Sequence, residues 1–176
     1  MGKSDEIRIR DATELDREAI LAVMLEAYEQ YRTVLPPARW EPYRESIRTS
    51  VDGDSPAARL VAELAGKVVG SVQLFLSSEA AYGMPELGIQ SPIIRFLSVS
   101  PAVRGRGVAT LLIQESARRS LALGAATLHL HTSDMMESAV RLYERLGFER
   151  AFDKDMRNGH TLVKSYRIHL KEAALL

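Results

Sequence analysis

Between Ile93 and Ala109 the chain reads IIRFLSVSPAVRGRGVA, and this run restricts the possible folds more than any other. An apolar, strand-like segment ends at Ser100 and Pro101. A short loop through Arg104, Gly105, Arg106 and Gly107 follows, and an apolar-periodic helix opens at once with Val108, Ala109 and Thr110. The first turn of a helix leaves its backbone N–H groups without intrahelical acceptors, and the helix dipole places partial positive charge there. Glycine lets an anion come close to the backbone, and arginine adds fixed charge. A strand, such a loop and a helix start therefore predict a phosphate or pyrophosphate site.

Composition narrows the class. The 176 residues suit one domain, expected to span 1–176. Hydrophobic residues make up 46% and charged residues 26%, as in ordinary globular proteins. With 23 basic and 23 acidic side chains the formal net charge is zero, which argues against a general nucleic-acid binder. The absence of cysteine excludes disulfides, thiolate metal sites and cysteine nucleophiles, and fits a cytoplasmic location. The opening residues MGKSDEIRIR lack a secretory apolar core, Glu6 breaks a myristoylation pattern, and no apolar run reaches membrane-spanning length. No membrane partner is expected.

Periodicity predicts a strand over 6–10 and helices over 13–30 and 42–51, with Pro36 and Pro37 breaking the chain between them. Asp11 or Thr13 can cap the first helix. Runs at 59–64 and 67–76 predict a hairpin around Ala65 and Gly66. The Gly-, Pro- and Ser-containing stretch 77–91 reads as a loop, long enough to be a functional flap or disordered. Strands are expected at 92–98, 127–132, 148–152 and 161–170, helices at 108–123 and 135–146, and a polar loop at 153–159. The order β-α-α-β-β-β-α-β-α-β-β predicts an α/β (α+β) fold with a mixed sheet and helices on both faces.

A second motif, Ala139 to Phe148, reads AVRLYERLGF. By itself it is an amphipathic helix with Ala139, Leu142, Tyr143 and Leu146 on its apolar face, stopped by Gly147. With the loop it carries more. The pattern Arg104-x-x-Gly107-x-Ala109 resembles the acyl-CoA signature of the GNAT N-acetyltransferase superfamily. The preceding Leu97 to Pro101 is similar to that family's fourth strand, and Ala139 to Phe148 to its later helix and sixth strand. The motifs span about 55 residues, from Ile93 to Phe148, the size of a β-α-β unit plus a helix.

The resemblance implies a mostly antiparallel sheet of about seven strands and an acyl-CoA-dependent N-acyltransferase that moves acetyl from acetyl-CoA directly to a primary amine. It implies that Arg104, Gly105, Arg106, Gly107, Val108, Ala109 and Thr110 cradle the CoA pyrophosphate. Leu97 and Val99 would pair with the pantetheine arm as a pseudo-strand, Val99 N–H would polarise the acetyl carbonyl, and Tyr143 would protonate the departing thiolate. The acceptor would be a small-molecule or peptide amine, and homodimers are common among look-alikes. Two positions depart from the family. Ile93 or Ile94 stands where many members carry a carboxylate, and Met136 where many carry Asn.

Other readings compete. His129 and His131 share a strand face with Asp134 nearby, but this spacing matches no catalytic zinc pattern, so no metal is expected. His131 is a candidate base. Glu26, Tyr28, Tyr31, Trp40, Tyr43 and Glu45 lie on N-terminal helices that often line the acceptor site in the family, or they are core. Gly105 to Thr110 imitates a dinucleotide fingerprint, but the acidic residue expected at the end of the next strand is missing from Leu130–His131–Thr132. A non-catalytic acyl-CoA sensor on the same fold is the remaining alternative.

Overall fold

The computed structural model describes residues 6–35, 37–132, 137–158, 161–173 and 175. Pro36, Asp134, Met135, Met136, Gly159 and the first five residues, which the sequence reading used, lie outside them.

The strands are β1 (Ile7–Asp11), β2 (Ala58–Leu64), β3 (Lys67–Phe75), β4 (Ile93–Val99), β5 (Thr127–Thr132), β6 (Glu149–Arg150), β7 (Met156–Asn158) and β8 (Thr161–His169). The α-helices are α1 (Arg17–Tyr28), α2 (Pro37–Ser50), α3 (Ser78–Tyr82), α4 (Val108–Ala122) and α5 (Glu137–Arg145). The sheet order is β1-β2-β3-β4-β5-β8-β6, with β7 paired to β8. Parallel pairing joins β4 to β5, at Ile93↔His129 and Ile94↔Leu130, whereas β1–β2, β5–β8, β6–β8 and β7–β8 are antiparallel. This is the expected mixed, mostly antiparallel α/β sheet with flanking helices, and β7 raises the strand number among the described residues to eight.

The chain forms two compact units. One comprises Met1–Gln73 and Phe96–Ile113, the other Leu74–Arg95 and Gln114–Leu176. In the first, Ile20 and Met24 of α1, Ile47 of α2, Val51 and Val61 of β2 form the buried core, with Phe96 and Tyr28 packed against it. Met24, Ile47 and Val61 are fully buried, each contributing about 1.5–3 kcal/mol of hydrophobic stabilisation. In the second, Leu128 and Leu130 alternate inward from β5 and Ile168 from β8. The β2–β3 hairpin turns at Ala65 and Gly66, both at positive φ (53° and 78°), the backbone that suits a two-residue hairpin loop.

Four expectations are corrected. The segment 77–91 is not a structureless flap. It folds into α3 and a 3₁₀ turn at Pro85–Leu87. The Ser77 side chain accepts from Ala80 N–H, Gly83 closes the helix at φ 66°, and Ala81 and Ile89 join Phe75 and Ile93 in a buried cluster. A five-residue helix is too short to show a hydrophobic period. Second, α2 starts at Pro37 and runs through Pro42. Proline suits a first helical position, so Pro37 is the start signal and Pro42 an interior residue. Third, the N-terminal helix is α1 flanked by 3₁₀ turns at Glu14–Asp16 and Glu29–Tyr31. Fourth, β6 is shortened to two residues, and the polar loop carries a 3₁₀ turn at Phe152–Lys154 and strand β7.

Asp16 organises the entry to α1. It accepts both Arg10 guanidinium nitrogens at 2.8 and 3.0 Å and the Thr13 N–H at 2.8 Å. The Arg10 hydrogen bond chiefly holds the Asp16 carboxyl down at about 2. Its folded-state value lies below the unfolded one, so this stabilisation is complete above about pH 4 and fades as pH falls towards 2. The urea midpoint of Asp16→Asn should therefore lie below that of the parent near neutral pH, and the gap should narrow under acid. A gap independent of pH would remove the ion pair from the account.

Candidate functional site

A 3₁₀ turn at Pro101–Val103 follows β4, and its Arg104 cap has extended backbone. Gly105 and Gly107 both sit at φ 80°. An added Cβ at either glycine would meet nothing within 4 Å, so the need for glycine is conformational rather than steric. Gly107 O accepts Leu111 N–H at 3.1 Å, the first bond of α4. The N–H groups of Val108, Ala109 and Thr110 therefore lie in the first turn, the positions with no intrahelical acceptor. Arg104 and Arg106 are exposed beside them. All seven residues expected to cradle an anion thus belong to one continuous loop and helix start within the first unit.

The helix start is anchored from beneath. Val108, Leu112 and Ile113 are buried. A Cβ built on Gly70 of β3 would lie 2.8 Å from Val108 Cγ1, 3.1 Å from Ser98 O and 3.2 Å from Leu112 Cδ1. Gly70 is therefore what allows the first turn of α4 to approach β3. Nothing in the sequence marks it, since a lone glycine in a strand signals close backbone approach only once a partner is known.

Leu97 and Val99 are half-buried on β4. Ahead of them Phe96 adopts φ 56°, a left-handed conformation that costs a bulky residue about 1–3 kcal/mol and persists only where the surroundings enforce it. Ser98 Oγ donates to Phe96 O at 3.1 Å, and Tyr28 Oη donates to Leu97 O at 3.0 Å. Ser100 N donates to Val69 O at 2.8 Å, and Ser100 Oγ donates to Glu26 Oε1 at 2.9 Å. The backbone groups of Ser98 and Ser100 thus face β3, and because N–H and C=O groups of successive strand residues point to alternate edges, those of Leu97 and Val99 address the opposite edge. Tyr28 packs edge-on to Tyr43, with ring centroids 5.7 Å apart, and lies 6.0 Å from Tyr31. Burial raises the Tyr31 hydroxyl above its ordinary value, and Arg104 partly opposes that.

In the second unit, Tyr143 on α5 is buried, its ring 6.0 Å from Phe148, and Phe148 N donates to Tyr143 O at 3.0 Å. Ile93 and Ile94 are buried too, so the position where many family members carry a carboxylate is apolar core here. His129 is buried beside Ser91 Oγ at 3.2 Å, and burial chiefly pushes it down to about 4. His131 Nε2 donates to Lys154 O at 3.1 Å, and Nδ1 accepts from Tyr82 Oη at 2.9 Å. Burial lowers His131 and raises Tyr82. Both ring nitrogens of His131 are engaged in structural bonds, which weakens its candidacy as a base. Among the described residues no group of three or more His, Asp or Glu could hold a metal ion, and no helix is long and apolar enough to cross a membrane.

The sequence profile described as "Acetyltransferase (GNAT) family" matches residues 20–148. The chain belongs to this family. An acetyltransferase of Pectobacterium atrosepticum is 30% identical over 112 residues, covering 62% of this chain and 70% of that protein. The PaiA N-acetyltransferase of Thermoplasma acidophilum, solved with coenzyme A, superposes with a TM-score of 0.68 at 14% identity, over 91% of this chain and 98% of that one. The ribosomal-protein-S18-alanine N-acetyltransferase of Escherichia coli gives 0.67 at 18% identity, over 93% and 94%. At these identities the solved structures speak to the fold alone. The GNAT match encloses the glycine loop and ends on Phe148, the last residue of the second motif.

In this GNAT protein Gly70→Ala should destabilise the fold by about 1–3 kcal/mol through overpacking against Val108. A urea midpoint equal to that of the parent would show that α4 does not depend on that contact.

Proposed function

We propose that this chain is an acetyl-CoA-dependent N-acetyltransferase that passes the acetyl group directly to a primary amine, the whole chain acting as one acetyltransferase domain. The observation that carries this reading is the loop from Arg104 to Gly107. Its two glycines at positive φ deliver the chain into the first turn of α4, the backbone arrangement that binds pyrophosphate. Family membership gives the acetyltransferase class, and the coenzyme A held by the Thermoplasma relative agrees with the co-substrate.

The resemblance to the GNAT signature supplies the roles. Arg104 and Arg106 supply fixed charge, and the Gly105 to Thr110 backbone binds the pyrophosphate. Pantetheine adds along β4 through the Leu97 N–H and Val99, since the Leu97 carbonyl is already held by Tyr28. The neutral amine attacks the thioester carbon, and charge developing on its oxygen meets the Val99 N–H. The C–S bond breaks, and Tyr143 gives its hydroxyl proton to the thiolate. Ile93 and Ile94 are buried and apolar and supply no base, so the amine proton leaves to another base or along a water path to one. The acceptor class is a small-molecule or peptide amine, and we place the protein in the cytoplasm.

Gly107→Glu should lower acetyl-CoA affinity at least about a hundredfold, because a carboxylate would enter the anion cradle on strained backbone. Calorimetric titration of the folded variant checks this, and undiminished affinity would contradict it. Tyr143→Phe should reduce turnover by about 10²-fold while leaving acetyl-CoA affinity within a factor of about two. Thioester consumption over a panel of amines provides the assay. Binding by the parent without consumption of any amine would favour the sensor.

A further inference from the structure

Two residues of α1 hold β4 on either side of Val99. Tyr28 Oη donates to Leu97 O at 3.0 Å, and Glu26 accepts from Ser100 Oγ at 2.9 Å. All five residues lie in the first unit. Just before this pair of contacts, Phe96 turns the strand through φ 56°.

The peptide planes show what Tyr28 controls. In a trans peptide the C=O and the following N–H point in opposite directions. Ser98 O lies on the β3 side, 3.1 Å from the Cβ position of Gly70, so the Val99 N–H points to the opposite edge. The Leu97 carbonyl is directed to that same edge by alternation, and there the Tyr28 hydroxyl takes it. Left without a donor, this carbonyl would place negative partial charge beside the oxygen that the Val99 N–H is meant to stabilise. The adjoining plane would also be free to rotate about a kink that is conformationally strained.

We propose that Tyr28 is a positioning residue for acetyl transfer. By donating to Leu97 O it fixes the kinked strand so that the Val99 N–H is aimed at the thioester oxygen. This rests on the acetyl-CoA reading above. Tyr28 acts through Leu97 and Val99, so its effect belongs to the acetyl group and not to the nucleotide part of CoA.

The test uses Tyr28→Phe, which keeps the ring that packs on Tyr31 and Tyr43 and removes the donor. Calorimetry gives the affinities for CoA and for acetyl-CoA. Isotope-edited infrared spectroscopy of bound [1-¹³C]acetyl-CoA reads how strongly the carbonyl is polarised. In Tyr28→Phe the affinity for CoA should stay within about twofold of the parent, and the extra affinity conferred by the acetyl group should fall about fivefold, as expected for one lost hydrogen bond. The carbonyl band should move back towards that of free acetyl-CoA, and 3-fluorotyrosine at Tyr28, which retains the donor, should restore it. An unchanged band, or equal losses for CoA and acetyl-CoA, would overturn the proposal. A parent that binds neither CoA nor acetyl-CoA would overturn the acetyl-CoA reading itself.

Discussion

The N–H groups in the first turn of a helix have no partners within the helix, and at the start of α4 this deficit shapes its surroundings. Val108 enters a buried position, Leu112 and Ile113 follow one turn later, and Gly70 gives up a side chain so that the turn can settle against β3. With the apolar side of the turn fixed in this way, the exposed loop from Arg104 to Gly107 carries the polar side. Its glycines at positive φ are required for the backbone path alone, because nothing crowds them. Rigidity below and open space above suit an anion site, since binding then costs little ordering of the protein.

The strand leading into this loop is held as firmly. Phe96 is a bulky residue in a left-handed conformation, kept there by its packing on the α1–α2 core and by side-chain donors on its own carbonyl and that of Leu97. Strain of this kind gathers at working sites, where the surroundings enforce a geometry that the chain alone would avoid. In the first unit α1 therefore contributes apolar side chains to the core and, through Glu26 and Tyr28, hydrogen bonds to the strand beside the site. Hydrophobic residues at helical spacing secure the first role, and a few polar contacts define the second.

The parts of the structure legible in the sequence are those governed by local rules. The β4-loop-α4 segment, β5 and the α5 helix came from hydrophobic period and from glycine placement, and the Ala65–Gly66 hairpin from its turn residues. What escaped was set by tertiary contact or by short range. Helix α3 has five residues and no visible period, although Ser77 and Gly83 are sound caps once the helix is seen. Pro37 and Pro42 lie close together and read as a break and then a helix start, whereas the helix runs through the second and buries Trp40 and Ile47 on either side of it. Gly70 looks like an ordinary strand glycine until α4 is placed against it. The turn at Phe96 has no sequence signal, because the residue carrying it is not glycine. Tyr28 read equally well as core or as an acceptor contact, and its hydroxyl bond to Leu97 O, 69 residues away in sequence, had no local signature.

The most direct test of the site is to compare acetyl-CoA with acetyl-pantetheine, which keeps the thioester and the arm but lacks the nucleotide and its pyrophosphate. If the Arg104 to Thr110 backbone is the anion cradle, calorimetry should show micromolar binding of acetyl-CoA and at least about a hundredfold weaker binding of acetyl-pantetheine, the loss expected from charge-assisted hydrogen bonds at a helix N-terminus. Equal affinity for the two would mean that the loop does not hold pyrophosphate and would remove the main support for acetyl-CoA as the co-substrate.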